Sequence, residues 1–288
     1  MKGARFETER EMVYDRVLIA VDGSDEARRA ARRGLELARA FEADVDVVYV
    51  IERSTLHLTR TEAEKSRLKE SAEAALGDIE ALASETGQSV ATELTDGKPA
   101  VRISECATER NADLIVVGRQ GQTGVGRRLL GGVTEKILNR SEVPVFVVPD
   151  GDSGSTNGYS RLLVPTDGSR GAELALAEGI ETSRATGATL HLLHVIETGG
   201  LGPDARSVLK EGELTERANE IMAEATERID ETSLDTTTSV IEHGDPSKVI
   251  CDYIDENEID LAIMGTHGQT DFSRYVMGGV SSKLVRKS

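Results

Sequence analysis

Apolar residues gather in short unbroken runs, and between the runs they recur at helical spacing. Arg16-Val-Leu-Ile-Ala-Val21 is one such run; Ala27 to Phe41 then carries a stripe at Ala30, Ala31, Leu35 and Ala38. An unbroken run suits a strand covered on both faces, and a three-to-four-residue stripe suits a helix lying on that strand. Further strand-like runs are Asp44–Ile51, Ser89–Leu94, Asp113–Val117 and Val143–Val148. A long helix ending near Glu85, a second opened by Pro99 and a third from Gly132 separate them. Proline is tolerated at a first helical turn because the N–H it lacks would be unpaired there. Strands alternating with helices predict right-handed βαβ units, hence a parallel sheet with helices on both faces. Residues 1–14 show no pattern and read as a frayed arm, and residues 52–61 read as a connection.

The pattern then begins again. Asp150 to Tyr159 is rich in Gly, Ser and Asp and reads as a linker, after which Arg161-Leu-Leu-Val-Pro-Thr-Asp-Gly-Ser169 matches Arg16 to Ser24. Leu190–Ile196 repeats the second strand, Thr236–Ile241 the third, and Gly244-Asp-Pro246 repeats Gly97-Lys-Pro99. In both copies an Asp-Gly-Ser turn follows the first strand, with Ser24 and Ser169 placed to cap the next helix.

The duplication is most telling after the fourth strand. Gly118-Arg-Gln-Gly-Gln-Thr-Gly-Val-Gly-Arg-Arg-Leu-Leu-Gly-Gly-Val-Thr134 separates that strand from a helix. Gly118, Gly121, Gly131 and Gly132 fall onto Gly265, Gly268, Gly278 and Gly279 of the second copy. A strand, a glycine-punctuated loop and a helix start form an arrangement that binds phosphate, because glycines let the backbone approach an anion closely. The spacing is not the Walker pattern, which requires a Gly-Lys-Ser/Thr that is absent here. Arg127, Arg128 and Arg274 lie on the loops, either as phosphate contacts or as solvated counter-charges. His267 falls inside the second loop, where the first has Gln120, and reads as a polar loop residue rather than a catalyst. His191 and His194 lie on a predicted strand, where at least one reads as a satisfied core or rim histidine.

Composition narrows the function classes. A net charge of −17 argues against nucleic acid or an anionic membrane as partner, since both need a basic face. No run of 18 apolar residues and no apolar leader after Met1-Lys2 is present, so the sequence reads as cytoplasmic. Cys106 and Cys251 do not match each other in the repeat and read as reduced thiols. Nine lysines against twenty-five arginines, on an acidic chain, fit a halophilic origin. No Ser/His/Asp or Cys/His catalytic set and no metal-ligand spacing stands out, so neither catalytic nor metal residues are assigned.

With two copies of Gly-x2-Gly-x9-Gly, the chain resembles the universal stress protein family in its tandem, ATP-binding form, from about residue 14 onward. The resemblance implies an α/β fold of two Rossmann-like parallel-sheet domains with strand order 3-2-1-4-5. These are residues 14–149 and 160–288 about a linker at 150–159, the second lacking its fifth strand. It implies that Asp22 and Asp167 meet the ribose and adenine side of a nucleotide, and that Val50 and Val195 offer backbone hydrogen bonds to adenine. Val117-Gly118 and Met264-Gly265 would pass beneath the nucleotide, with Gly121, Gly131, Gly268 and Gly278 completing the pattern. One position departs from the family in both copies: Gly132 and Gly279 stand where a hydroxyl usually touches phosphate. Val133-Thr134 and Val280-Ser281 follow, keeping a hydroxyl two residues on. The implied ligand is ATP or another adenine nucleotide, with an accompanying Mg or Mn ion left open, and the implied role is regulatory binding with at most slow ATP hydrolysis. A nucleotide-free scaffold and, more remotely, an adenylating or phosphoryl-transfer enzyme are the alternatives. The apolar edge Val145–Val148 is expected to pair two chains as a homodimer.

Overall fold

The computed structural model describes residues 14–52, 61–121, 130–149, 158–197, 208–232, 234, 237–266 and 277–287. The first half runs β1 (Arg16–Val21), α1 (Asp25–Ala40), β2 (Asp44–Glu52), α2 (Glu62–Glu85) and β3 (Val90–Gly97). It continues through α3 (Pro99–Arg110), β4 (Leu114–Gly118), α4 (Gly132–Leu138) and β5 (Val145–Val148). The second half runs β6 (Arg161–Pro165), α5 (Arg170–Thr186), β7 (Thr189–Glu197), α6 (Val208–Asp230) and β8 (Thr237–Gly244). It closes with α7 (Pro246–Glu256), β9 (Leu261–Ala262) and α8 (Gly279–Lys287).

All strand pairs are parallel, in the orders β3-β2-β1-β4-β5 and β8-β7-β6-β9. The expected 3-2-1-4-5 order is therefore the order found, and the second sheet has four strands among the described residues. The register is duplicated too: Leu18 lies opposite Asp46, and its counterpart Leu163 lies opposite His191. Elements differ in extent from the periodicity. The third strand runs on to Gly97, and β9 keeps only two of the five apolar-run residues as ladder. Gly97 carries φ of 151° and is itself the last residue paired with β2, opposite Glu52.

Side chains alternate between two layers. Val17, Ile19, Val45 and Val47 pack beneath α1 and α2, whereas Leu18, Ala20, Val48 and Ile115 pack against α3 and α4. The first of these clusters does not stop at the end of the first half; it continues into Leu162, Val164, Leu176, Ile180 and Leu190 of the second. Burying that continuous apolar surface is what holds the halves together.

Two residues read as arm and linker belong to this core. Tyr14 is buried, edge-on to Phe41 at 4.6 Å between ring centroids. Tyr159 is buried too, donates its hydroxyl to the Arg33 carbonyl at 3.0 Å, and lies under the Arg33 guanidinium at 4.2 Å. Each precedes its half's first strand, and a single aromatic ring supplies enough apolar area to anchor a segment that has no periodicity.

Candidate nucleotide site

Both halves bring three segments together at the carboxyl end of the sheet, where β1 and β4, or β6 and β9, leave in different directions. Ligands of open parallel sheets sit at this kind of place. The first segment is the Asp-Gly-Ser turn. Asp22 Oδ1 accepts from the Ser24 N–H at 3.0 Å and from its hydroxyl at 2.6 Å, and Ser24 in turn caps α1 by accepting from Ala27 N–H. Asp167 Oδ1 accepts from Ser169 N–H at 3.0 Å, and Ser169 caps α5 through Ala172. The intervening Gly23 and Gly168 have φ of 82° and 72°, a conformation costly to residues with a Cβ. The aspartates are thus oriented by local hydrogen bonds.

The second segment ends the second strand. Val50 and Val195 are half-buried in the β2–β3 and β7–β8 ladders, opposite Thr95 and Glu242. Beside Val50 lies Tyr49, whose phenol pKa is raised by burial and then by the charge of Asp22. Its counterpart His194 is buried with Nδ1 2.8 Å from the Thr166 carbonyl. A carbonyl only accepts, so that nitrogen carries the proton. Tyr49 was not anticipated as a neighbour of the site, although a phenol interrupting an otherwise aliphatic run was the available signal.

The third segment is the glycine loop, of which residues 122–129 and 267–276 lie outside the described residues. Gly268, Arg127, Arg128, Arg274 and His267 fall there. Val117 and Gly118 are buried at the end of β4, and a Cβ on Gly118 would come within 3.3 Å of the Glu26 backbone. Gly265, just after Met264, is tighter: a Cβ there would stand 2.7 Å from the Gly171 carbonyl carbon. A Cβ on Gly121 would collide with the Asp22 carboxylate, so the loop lies directly on the acid.

The loop returns to its helix in the same way twice. Gly131 N–H donates to the Arg119 carbonyl at 2.9 Å, and Gly278 N–H donates to the Thr266 carbonyl at 2.7 Å. Thr134 donates its hydroxyl to the Gly118 carbonyl at 2.9 Å, and Ser281 to the Gly265 carbonyl at 2.8 Å. These two hydroxyls therefore tie helix start to strand end, and their single protons are directed at the loop backbone. Gly132 and Gly279 differ from Gly118, Gly121, Gly131 and Gly265, because a Cβ on either meets nothing within 4 Å among the described residues. Val133 is exposed and Val280 half-buried on the following turn. Among the described residues no group of three or more His, Cys, Asp or Glu side chains could hold a metal ion.

Comparison with known proteins fits this geometry. The model of the family described as "Universal stress protein family" matches residues 13–149 and again 158–288. The chain belongs to the universal stress protein family. A universal stress protein of Methanocaldococcus jannaschii is 37% identical over 142 residues, covering 48% of this chain and 84% of its own length. One from Mycolicibacterium smegmatis is 26% identical over 283 residues and covers 94% of both chains, so the tandem arrangement is shared. The crystal structure of a universal stress protein from Archaeoglobus fulgidus superposes with a TM-score of 0.70 at 24% identity, covering 96% of each chain, which shows the common fold. No helix among the described residues is long and apolar enough to cross a membrane.

Proposed function

We propose that this universal stress protein binds ATP or another adenine nucleotide in each half and acts in the cytoplasm as a binding and regulatory protein rather than a strong catalyst. The observation that carries the reading is the duplicated anchoring of the glycine loop. In both halves a hydroxyl on a glycine carbonyl and a glycine amide on a loop carbonyl anchor the loop; in the first it lies on the oriented Asp22, and in the second Gly265 packs on Gly171, just past the Asp167–Ser169 turn. Asp22 and Asp167 would meet the ribose side, and Val50 and Val195 the adenine edge. Gly131-Gly132 and Gly278-Gly279 would face the phosphates. The space in front of Gly132 and Gly279 suits an anion approached by backbone N–H groups alone. Mg or Mn would arrive with the triphosphate and lie near Asp22 or Asp167.

A second reading, a nucleotide-free scaffold, is favoured by one observation. Both copies lack a hydroxyl at Gly132 and Gly279, and the hydroxyls at Thr134 and Ser281 are turned to the backbone. The experiment that separates the readings is to denature protein purified without added nucleotide and identify what it releases. A near-stoichiometric adenine nucleotide supports binding; an empty protein that also takes up no Mg-ATP on dialysis favours the scaffold.

Two further features extend the proposal. The first sheet ends on β5, whose outer edge has no strand partner among the described residues, and a second copy of the chain would pair there. Analytical ultracentrifugation showing only monomer would remove that part. The excess of acid over base suits a salt-rich cytoplasm that screens self-repulsion. Thermal stability that does not rise with KCl would count against it.

A further inference from the structure

The two glycine loops are not separate devices. Asn139 caps the end of α4 in the first half, and its Oδ1 accepts from the Met277 N–H of the second half at 3.0 Å. Met277 is the residue immediately before the Gly278-Gly279 pair. Its neighbour Gly278 donates to Thr266 at 2.7 Å and accepts from Ser282 at 2.9 Å, so the side chain from the first half fixes the point at which the second loop enters α8. The reverse connection is made by Arg286 on α8. Its guanidinium donates to Glu135 in the first turn of α4 at 3.0 Å, and its carbonyl accepts from Arg119 at 3.3 Å. Arg119 is buried and its own carbonyl receives the Gly131 amide, which places it within the first loop's anchor. Asn139 and Arg286 occupy matching positions in the two copies, counted from Gly132 and Gly279. One place in the repeat thus reaches across in both directions, by different chemistry.

We propose that the described ends of the two glycine loops, at Arg119–Gly131 and Thr266–Gly278, form one coupled unit, in which Asn139 is a positioning residue for the second half's and Arg286 for the first half's, so that filling one site changes the affinity of the other. The ligand class rests on the nucleotide reading above; the mechanical coupling does not. Movement of Gly131 on ligand binding passes through Arg119 and Glu135 to Arg286 on α8, and movement of α4 passes through Asn139 to Met277. The elements between the loops are hydrogen-bonded backbone and short helices, which transmit a displacement better than a flexible connection does.

Hydrogen–deuterium exchange on the full chain tests this without requiring any ligand. Asn139→Ala should speed exchange of the Gly278 and Ser282 amides by roughly fivefold or more, while amides of β6 at Leu162–Val164 keep their rates. Asn139→Asp retains an acceptor for Met277 and should restore most of the protection, which a general loss of folding would not allow. Glu135→Ala, which leaves Arg286 no side-chain acceptor there, should loosen the far end of α8 in the same manner. In the same variants, titration with Mg-ATP should show the coupling between the two sites shrink from about three- to tenfold toward none. Unchanged exchange at Gly278 and Ser282 in Asn139→Ala overturns the proposal, whether or not ATP binds. Altered exchange in a protein that binds no Mg-ATP upholds the coupling and removes the nucleotide reading instead.

Discussion

The same place in the two halves is solved by different chemistry. On β2, buried Asp46 accepts from Arg16 at 3.0 Å and from Arg110, and Arg110 also donates to Glu93 at 2.6 Å. At the matching place on β7, buried His191 has Nδ1 2.9 Å from the Tyr253 hydroxyl, with the rings edge-on. The partners have been replaced or turned away in concert. Tyr253 stands where α3 has buried Cys106, Asn257 stands where it has Arg110, and Arg161 turns from the strand to Glu258 at 2.7 Å and the Asn257 carbonyl. A charge network and a neutral aromatic pair are both complete ways of satisfying a buried polar group. The loop anchors, by contrast, are the same in both halves down to the carbonyl that accepts the hydroxyl. The scaffold position takes either satisfied solution, whereas the described ends of the two loops are anchored alike.

The largest losses should follow deletion of the centre of each solution. Asp46→Ala removes one carboxylate from Arg110 and Arg16, which keep Glu93 and Asp44, and should cost about 2–3 kcal/mol, read by chemical denaturation. His191→Phe keeps a ring but loses the Tyr253 bond, and should cost only about 1–2 kcal/mol. Equal costs would show that the charge network adds nothing beyond packing. The His191 pKa is lowered, first by burial and then by Arg161. The contribution of neutral His191 is therefore full above its unfolded value of about 6.5 and lost as pH falls below it.

A second divergence has the opposite pH sense. Arg33 and Glu178 are matched positions on α1 and α5, both buried. Arg33 bonds Glu36 at 2.8 Å and lies on Tyr159, whereas Glu178 is raised to about 7 from 4.5 by burial and then by Glu181. The fold favours the protonated acid, so this contribution is full below pH 4.5 and lost as pH rises through about 7. Glu178→Gln should stabilise the protein by up to about 3 kcal/mol at pH 8 and be neutral near pH 4, as seen in thermal melts at the two values. An equal gain at both values would separate the effect from titration.

Where the halves agree, matched substitutions should give matched losses. Gly265→Ala forces a Cβ onto the Gly171 backbone and should cost about 1–3 kcal/mol, with Gly118→Ala somewhat less because its contacts are looser. Thr134→Ala and Ser281→Ala each remove one loop-to-strand hydrogen bond and should cost about 1 kcal/mol apiece. Losses confined to one half would mean that the shared anchoring is not a shared requirement.

Much of the architecture could be read from the chain because apolar runs and helical stripes record layers directly. The strand order came with the family resemblance, since periodicity alone does not order strands. Asp22, Asp167 and the glycines were legible through repetition: Gly121 on Asp22 and Gly265 on Gly171 explain why no larger residue stands there. Tyr14 and Tyr159 were not, because single aromatic anchors have no period. Nor was the tie of Thr134 to Gly118, which depends on a backbone carbonyl that no sequence displays. Contacts between halves, such as Asn139 to Met277, join residues 138 apart and leave no local trace.

Calorimetric titration of Mg-ATP into the full chain and into the Gly132→Ser, Gly279→Ser double variant addresses the nucleotide reading most directly. Among the described residues nothing stands within 4 Å of a Cβ on either glycine, so the added hydroxyls should fit and each contribute a hydrogen bond to phosphate. Saturable binding of two nucleotides per chain, tightened about tenfold in the double variant, is the expected result. No saturable binding in either protein would contradict the account and leave the fold with a different task.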